Sequence, residues 1–275
     1  MLEPPAPVLA SDLFKPDRTA LLELLRELTA EEWERPTVCQ GWTVKDVVLH
    51  LLGGDLGNLS RRRDGFQGMG PAPGESLVAY INRLNTEWVG ATRRLSPQVV
   101  RELLAWVGPP LFEYFASLDP MAMGAPVSWA GDEPAPVWLD VAREYTERWH
   151  HQQHIRDAVG RPGQLNRRFL YPVLATFAHA LPVALGGTEA PHGTMVHFHV
   201  EGEAGGDWAV VREGGRWRLY MGAPPIPDTR ITLDQALAWR FFTKGVTPQE
   251  AERQSTIEGE RQLGARLLHA VAIIA

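Results

Sequence analysis

Sulfur chemistry is almost absent from this chain of 275 residues, whose one cysteine is Cys39. A lone thiol cannot close an internal disulfide, which fits a reducing compartment. No apolar run is long enough to cross a bilayer, and no basic start followed by an apolar stretch marks an export signal. A surplus of positive charge is also missing, since 27 Lys and Arg face 33 Asp and Glu, for a formal net charge of −6. Polyanion binding leaves a basic footprint, so neither nucleic acid nor an acidic membrane is an expected partner. The one basic cluster, Arg61, Arg62 and Arg63, follows a helical pattern whose negative end it complements. Internal repeats and low-complexity runs are lacking as well. The expectation is a soluble, cytoplasmic protein, monomer or homodimer, that handles a small molecule and has room for one large domain or two ordinary ones.

What is present is 44% hydrophobic and 22% charged residues, with 10 Trp and 22 Pro, the texture of a globular chain with aromatic anchors and stiff loops. Helical periodicity runs over residues 17–28, through Leu21, Leu24, Leu25 and Leu28. Thr29 and Glu32 have the spacing of a capping box and open a short helix to residue 34. Thr43 caps a helix that continues to about residue 63, with Val44, Val47, Val48, Leu51 and Leu52 inside and His50 upon it. Further helices are expected over residues 75–95 and 96–118, the latter open to a break at Pro109 and Pro110. A loop with four prolines follows over 119–136, and then a helix as far as Val159, stopped by Gly160 and Pro162. Four long amphipathic helices make a four-helix bundle, a scaffold that builds metal sites from facing helices. Another helix covers 169–185. Strand alternation then appears over 195–201, 208–211, 217–221, 229–233 and 256–258, with a hairpin at Gly214 and Gly215. Helices over 233–243, 247–253 and 262–274 accompany the strands. The fold class is thus α+β in two domains: a helical bundle over 1–165, a connecting helix over 166–189, and a small α+β domain over 190–275.

Chemistry concentrates in residues 144–157, where three histidines and two glutamates share one helix. At about 100° per residue, Glu144, Glu147, His151 and His154 fall within roughly one third of its circumference. Such a stripe is costly to bury without compensation, and a divalent metal compensates it because imidazole and carboxylate both bind zinc, nickel or iron. A solvated, His-rich face is the plain alternative.

Residues Cys39, Gly41, Trp42, Thr43, Val44, Asp46, Val47, Val48 and His50 resemble the first signature of the DinB-like superfamily, and within it the mycothiol-dependent maleylpyruvate isomerase family. Glu147 and His151, followed by Ile155, Arg156 and Gly160, resemble the second. The resemblance covers residues 15–160, and the C-terminal part looks like the sterol-carrier-like domain that this family appends. It implies a metal held by His50, Glu147 and His151. Many DinB-like proteins have histidine where Glu147 stands, so the glutamate leans toward the isomerase branch. His154 replaces an aspartate usual in that branch and could be a fourth ligand, a donor behind the ligands, or half of a shifted set with His150. The implied function is a metal-dependent enzyme, isomerase or thiol S-transferase, in which a metal-activated thiolate acts on a small electrophile. Zinc is the first-choice metal, with nickel or iron as alternatives, and mycothiol or another low-molecular-weight thiol is the implied second cofactor. The family draws an arginine from its appended domain to hold a dianionic substrate; Arg240 is the first candidate here, with Lys244 and Arg156 behind it.

Three protein ligands leave a coordination position open, so the same site could activate water instead. A metal-dependent hydrolase with Glu144 or Asp55 as general base is therefore one alternative, and a non-catalytic metal-binding protein is another. Trp42 and Trp149 read as core anchors, and Cys39 as a small buried group rather than a nucleophile. Asp55 reads as either an orienting partner for an imidazole or a solvated helix residue. His197 and His199 alternate on a strand as an i, i+2 pair without an evident third ligand, and read as its exposed face. His179 and His269 stand alone.

Overall fold

Two capping boxes start the helical part. Thr29 accepts a hydrogen bond from the Glu32 amide while Glu32 accepts from Thr29, and Thr43 and Asp46 make the same reciprocal pair. The computed structural model describes residues 2–68 and 70–273. Met1 of the N-terminal arm that the prolines of residues 1–10 predict, Met69 of the loop that the glycines of residues 64–74 predict, and Ile274 of the closing helix expected over 262–274 lie outside the described residues. The chain forms two units. One takes residues 10–119 and 147–163, the other the described residues among 1–9, 120–146 and 164–274. This division differs from the expected boundaries at 165 and 190, because residues 120–146 and the connecting segment 166–189 both belong with the sheet.

The helical unit holds α1 (Phe14–Glu27), α2 (Ala30–Trp33), α3 (Val44–Asn58), α4 (Leu77–Thr92) and α5 (Pro97–Ser117). It also holds residues 147–159 of α6 (Val137–Val159). A π-helical turn, Leu59–Arg63, ends α3. Leu21, Leu24 and Leu25 of α1 are buried, as are Val47, Val48, Leu51 and Leu52 of α3 and Leu104, Val107 and Leu111 of α5. α3 lies against α4 and α5, and α1 against α5. Asp55 sits fully buried on α3 and accepts hydrogen bonds from Arg148 at 3.1 and 2.8 Å and from Arg18 on its other oxygen. Arg18 also donates to the Leu104 carbonyl at 2.8 Å. Asp55 is therefore the anion of a buried Arg–Asp–Arg link, which overturns both its reading as a general base and its reading as a solvated residue. α5 runs unbroken through Pro109 and Pro110. The carbonyls these prolines leave without a helical donor belong to Ala105 and Trp106, on an exposed face where water can serve them.

In the sheet unit five strands take the order β3-β2-β1-β4-β5. They are β1 (Met195–Glu201), β2 (Gly206–Glu213), β3 (Arg216–Met221), β4 (Thr229–Asp234) and β5 (Thr256–Gly259), with β1 and β4 parallel and the other pairs antiparallel. Gly214 and Gly215, at φ of 55° and 78°, make the two-residue turn between β2 and β3. Val196, Phe198, Val200, Trp208, Val210, Ile231 and Leu233 alternate onto the buried face. Phe198 there meets Phe241 and Phe242, of α9 (Gln235–Phe242). Phe242 in turn meets Phe177, of α7 (Arg167–Phe177). The one helix expected over 169–185 is three pieces: α7, a 3-10 turn at Ala178–Ala180, and α8 (Leu181–Ala184), which has Pro182 in its first turn. α10 (Pro248–Gln254) and α11 (Arg261–Leu267) complete the unit. The N-terminal arm joins it through a bridge between Glu3 and Met221 at the edge of β3.

Candidate metal centre

The cap at Thr43 sets the start of α3 and so the face on which His50 emerges, beside the buried Leu49 and Leu51. On α6, Glu147 and His151 are one turn apart and present their side chains together. The two helices bring the three residues to a common point. His50 Nε2 lies 2.9 Å from Glu147 Oε1, and His151 Nε2 lies 3.3 Å from the same oxygen. The two imidazoles meet edge to face, with ring centroids 4.7 Å apart. Their side chains are 12% and 11% exposed and that of Glu147 36%, so the group is sheltered yet reachable from solvent.

Charge states follow from the surroundings. Burial opposes ionisation of Glu147, but His151 and His50, with His150 behind them, outweigh it and hold the carboxyl well below its usual range. Burial lowers His151 by more than the neighbouring Glu147 raises it. An ionised carboxylate beside a neutral imidazole is the state in which both bind a divalent cation. The donor set and its convergence within 4.8 Å thus fit a metal ion.

Cys39 and Trp42 frame the group. Gly41 at φ of 77° closes a tight turn in which the Trp42 amide donates to the Cys39 carbonyl at 2.9 Å. Trp42 is only half-buried and its ring lies 5.1 Å from that of His50, so it walls the site rather than anchoring the core; Trp149 is fully buried. Cys39 Sγ lies 3.3 Å from His154 Nδ1 and 4.0 Å from His151 Nδ1. Burial pushes this thiol up to about 11, Thr37 opposing and Glu147 adding to the shift, so at neutral pH it is a protonated donor behind the imidazoles. The sequence signal for both residues was their place in the Cys39–His50 motif, which does not reveal that they face the later helix.

His154 joins Cys39 and His151, while the group around Glu147 holds His50 and His151. Among the described residues no group of three donors contains both His150 and His154. The buried His151 and His154 also overturn the solvated-face alternative for the stripe. Glu144 accepts from Arg143 at 2.6 Å. Arg240 lies over the Trp239 ring at 4.4 Å and donates to the Ala236 carbonyl. Arg156 donates to Gln152, and Lys244 lines a cavity of about 300 Å³ with Phe241 and Leu268.

Residues 14–156 match the family model of the mycothiol maleylpyruvate isomerase N-terminal domain. The chain belongs to that family. The match reaches from α1 into α6, so His50, Glu147, His151, Cys39 and Trp42 all fall inside it and β1 to β5 fall outside. The whole chain is also similar in fold to solved structures. A crystal structure of a mycothiol-dependent maleylpyruvate isomerase with a histidine-to-alanine substitution aligns with TM-score 0.54 at 13% identity, over 91% of this chain and 92% of that one. The crystal structure of the mycothiol-dependent maleylpyruvate isomerase aligns with TM-score 0.52 at 14% identity, over 84% and 86%. The sterol carrier protein domain 2 of Helicoverpa armigera aligns at only 0.28, too loosely to characterise the sheet unit. No curated protein matches in sequence. As a member of the mycothiol maleylpyruvate isomerase family, the chain has an α+β fold with a helical N-terminal part, and no helix among its described residues is long and apolar enough to cross a membrane.

Proposed function

We propose that this protein is a metal-dependent, thiol-using enzyme, an isomerase or thiol S-transferase acting on a small electrophile, with His50, Glu147 and His151 as the metal ligands. The observation that supports it is the convergence of two imidazole nitrogens from different helices on one carboxylate oxygen, inside the stretch that assigns the family. Glu147 contributes the negative charge, and His50 and His151 contribute nitrogen donors suited to zinc first, then nickel or iron. When bound, such an ion supplies the positive charge that keeps a thiol ionised at neutral pH. Trp42 closes one side of His50 and limits water there. The Cys39 thiol contacts His151 Nδ1 and orients that ring toward Glu147. Mycothiol is the first thiol to test and maleylpyruvate the first substrate, since the family is named for both.

The hydrolase reading is weaker, because the bases it relies on are engaged elsewhere: Asp55 by two arginines and Glu144 by Arg143. Metal analysis of the native protein beside a His50→Ala variant tests the proposal, together with thiol-dependent turnover. We expect the variant to lose one metal equivalent and turnover to fall by more than about 100-fold. Full metal content in the variant, or a cobalt-substituted spectrum indifferent to mycothiol, would sink it. Loss of stability on chelation, with no turnover under any condition, would favour a structural metal.

A further inference from the structure

On β1, His197 and His199 alternate with Val196, Phe198 and Val200, so both imidazoles stand on the face of the sheet away from the apolar core. The antiparallel register with β2 sets Asp207 directly opposite His199. That register is pinned by a tight turn. Gly205 passes so close to the Val200 carbonyl that any side chain there would collide with it, and its amide donates to Gly202 at 3.0 Å. Asp207 Oδ1 consequently lies 2.8 Å from His197 Nε2 and 2.8 Å from His199 Nδ1. The third ligand that the sequence did not reveal is supplied by the neighbouring strand. His197, moreover, is not on an exposed face but only 3% exposed.

The arrangement repeats the one between α3 and α6: two imidazole nitrogens directed at a single carboxylate oxygen. We propose that His197, His199 and Asp207 form a second divalent-metal site, suited to zinc and its neighbours in the first transition row, in the sheet unit. The three donor atoms lie within 4.8 Å of one another. Donors around a tetrahedral zinc at about 2.0–2.1 Å stand about 3.4 Å apart, so the group needs to open by only several tenths of an ångström. His197 is held by the sheet, whereas the His199 and Asp207 side chains are 36% and 37% exposed and leave an entry path and room for water as the remaining ligand. Arg230 faces His197 across β4 and opposes the cation, which makes this the weaker of the two sites. These residues lie outside the stretch that matches the family model.

The full-length chain, stripped with chelator and dialysed against zinc chloride, is assayed for zinc per chain. We expect about two equivalents in the wild type, about one in His199→Gln and in Asp207→Asn, and about one in His50→Ala. Joining His50→Ala to His199→Gln should leave almost none. Zinc absorption spectra of the His50→Ala chain should show an ion ligated by two imidazoles and oxygen. Both sheet substitutions fall on half-exposed side chains, and circular dichroism confirms folding; if one variant misfolds, the spectrum still decides. Unchanged zinc in the sheet variants, or none in His50→Ala, would reduce the cluster to a hydrogen-bonded His–Asp–His group. His50→Ala binding as much as wild type would instead refute the α3–α6 site and leave this one standing.

Discussion

At Asp55 a carboxylate without solvent exposure meets two guanidinium groups, and removing it would deprive the buried Arg18 and Arg148 of the anion they share. We expect Asp55→Ala to cost about 3–5 kcal/mol in denaturant unfolding; a loss under about 1 kcal/mol would show that the arginines find other partners. His179 makes a pH-dependent contribution. Its ring packs against Trp138, its Nε2 is buried without a partner, and burial pushes its pKa from 6.5 to about 4. Between those values the unfolded chain binds the proton more readily, so stability is lost as pH falls from about 6.5 toward about 4. The ceiling is about 3 kcal/mol, reduced by the partial exposure of the ring. Unfolding of His179→Leu beside the wild type should show a difference that grows through this window; parallel pH profiles would refute it. Legibility at this scale depended on distance along the chain. Glu147 and His151 share a helix turn, so their spacing shows their partnership. Asp55 finds its partners on α1 and α6, and His199 finds Asp207 only through a strand register, neither of which spacing encodes.

Among elements, α3 carries the early histidine and is held from several sides. Trp88 of α4 lies over Gly53 and donates to the Leu49 carbonyl at 2.7 Å. A methyl at Gly53 would come within 2.5 Å of that ring, which its hydrogen bond keeps from swinging away. Gly53→Ala should therefore destabilise by about 1–3 kcal/mol through overpacking, although alanine is the better helix former. A stabilised variant in thermal melting would mean that the ring yields. Helix starts were readable where Thr29 and Thr43 both cap as their side chains predict. Helix interruptions were less so. Two prolines fail to break α5, where carbonyls reach water, yet the segment ahead of Pro182 loosens into a 3-10 turn. The difference lies in the surroundings of the freed carbonyls and not in the proline itself.

For the whole molecule, the α+β pattern was readable from periodicity, whereas the division into units was not, because each unit collects separated segments of chain. A protein of two units is not expected to melt as one cooperative transition. Saturating zinc should raise the melting temperature of the helical unit, by about 2.7 kcal/mol of added stability at a hundredfold excess over Kd, and Glu147→Gln should abolish the shift. A calorimetric trace of that variant still responding through the helical transition would argue against the α3–α6 centre. The bridge from Glu3 to Met221 has a consequence for biosynthesis. The arm leaves the ribosome before β3 and cannot dock until that strand has followed it. Until then it is untethered, open to chaperones and proteases, and its protection from cleavage reports when β3 has taken its place.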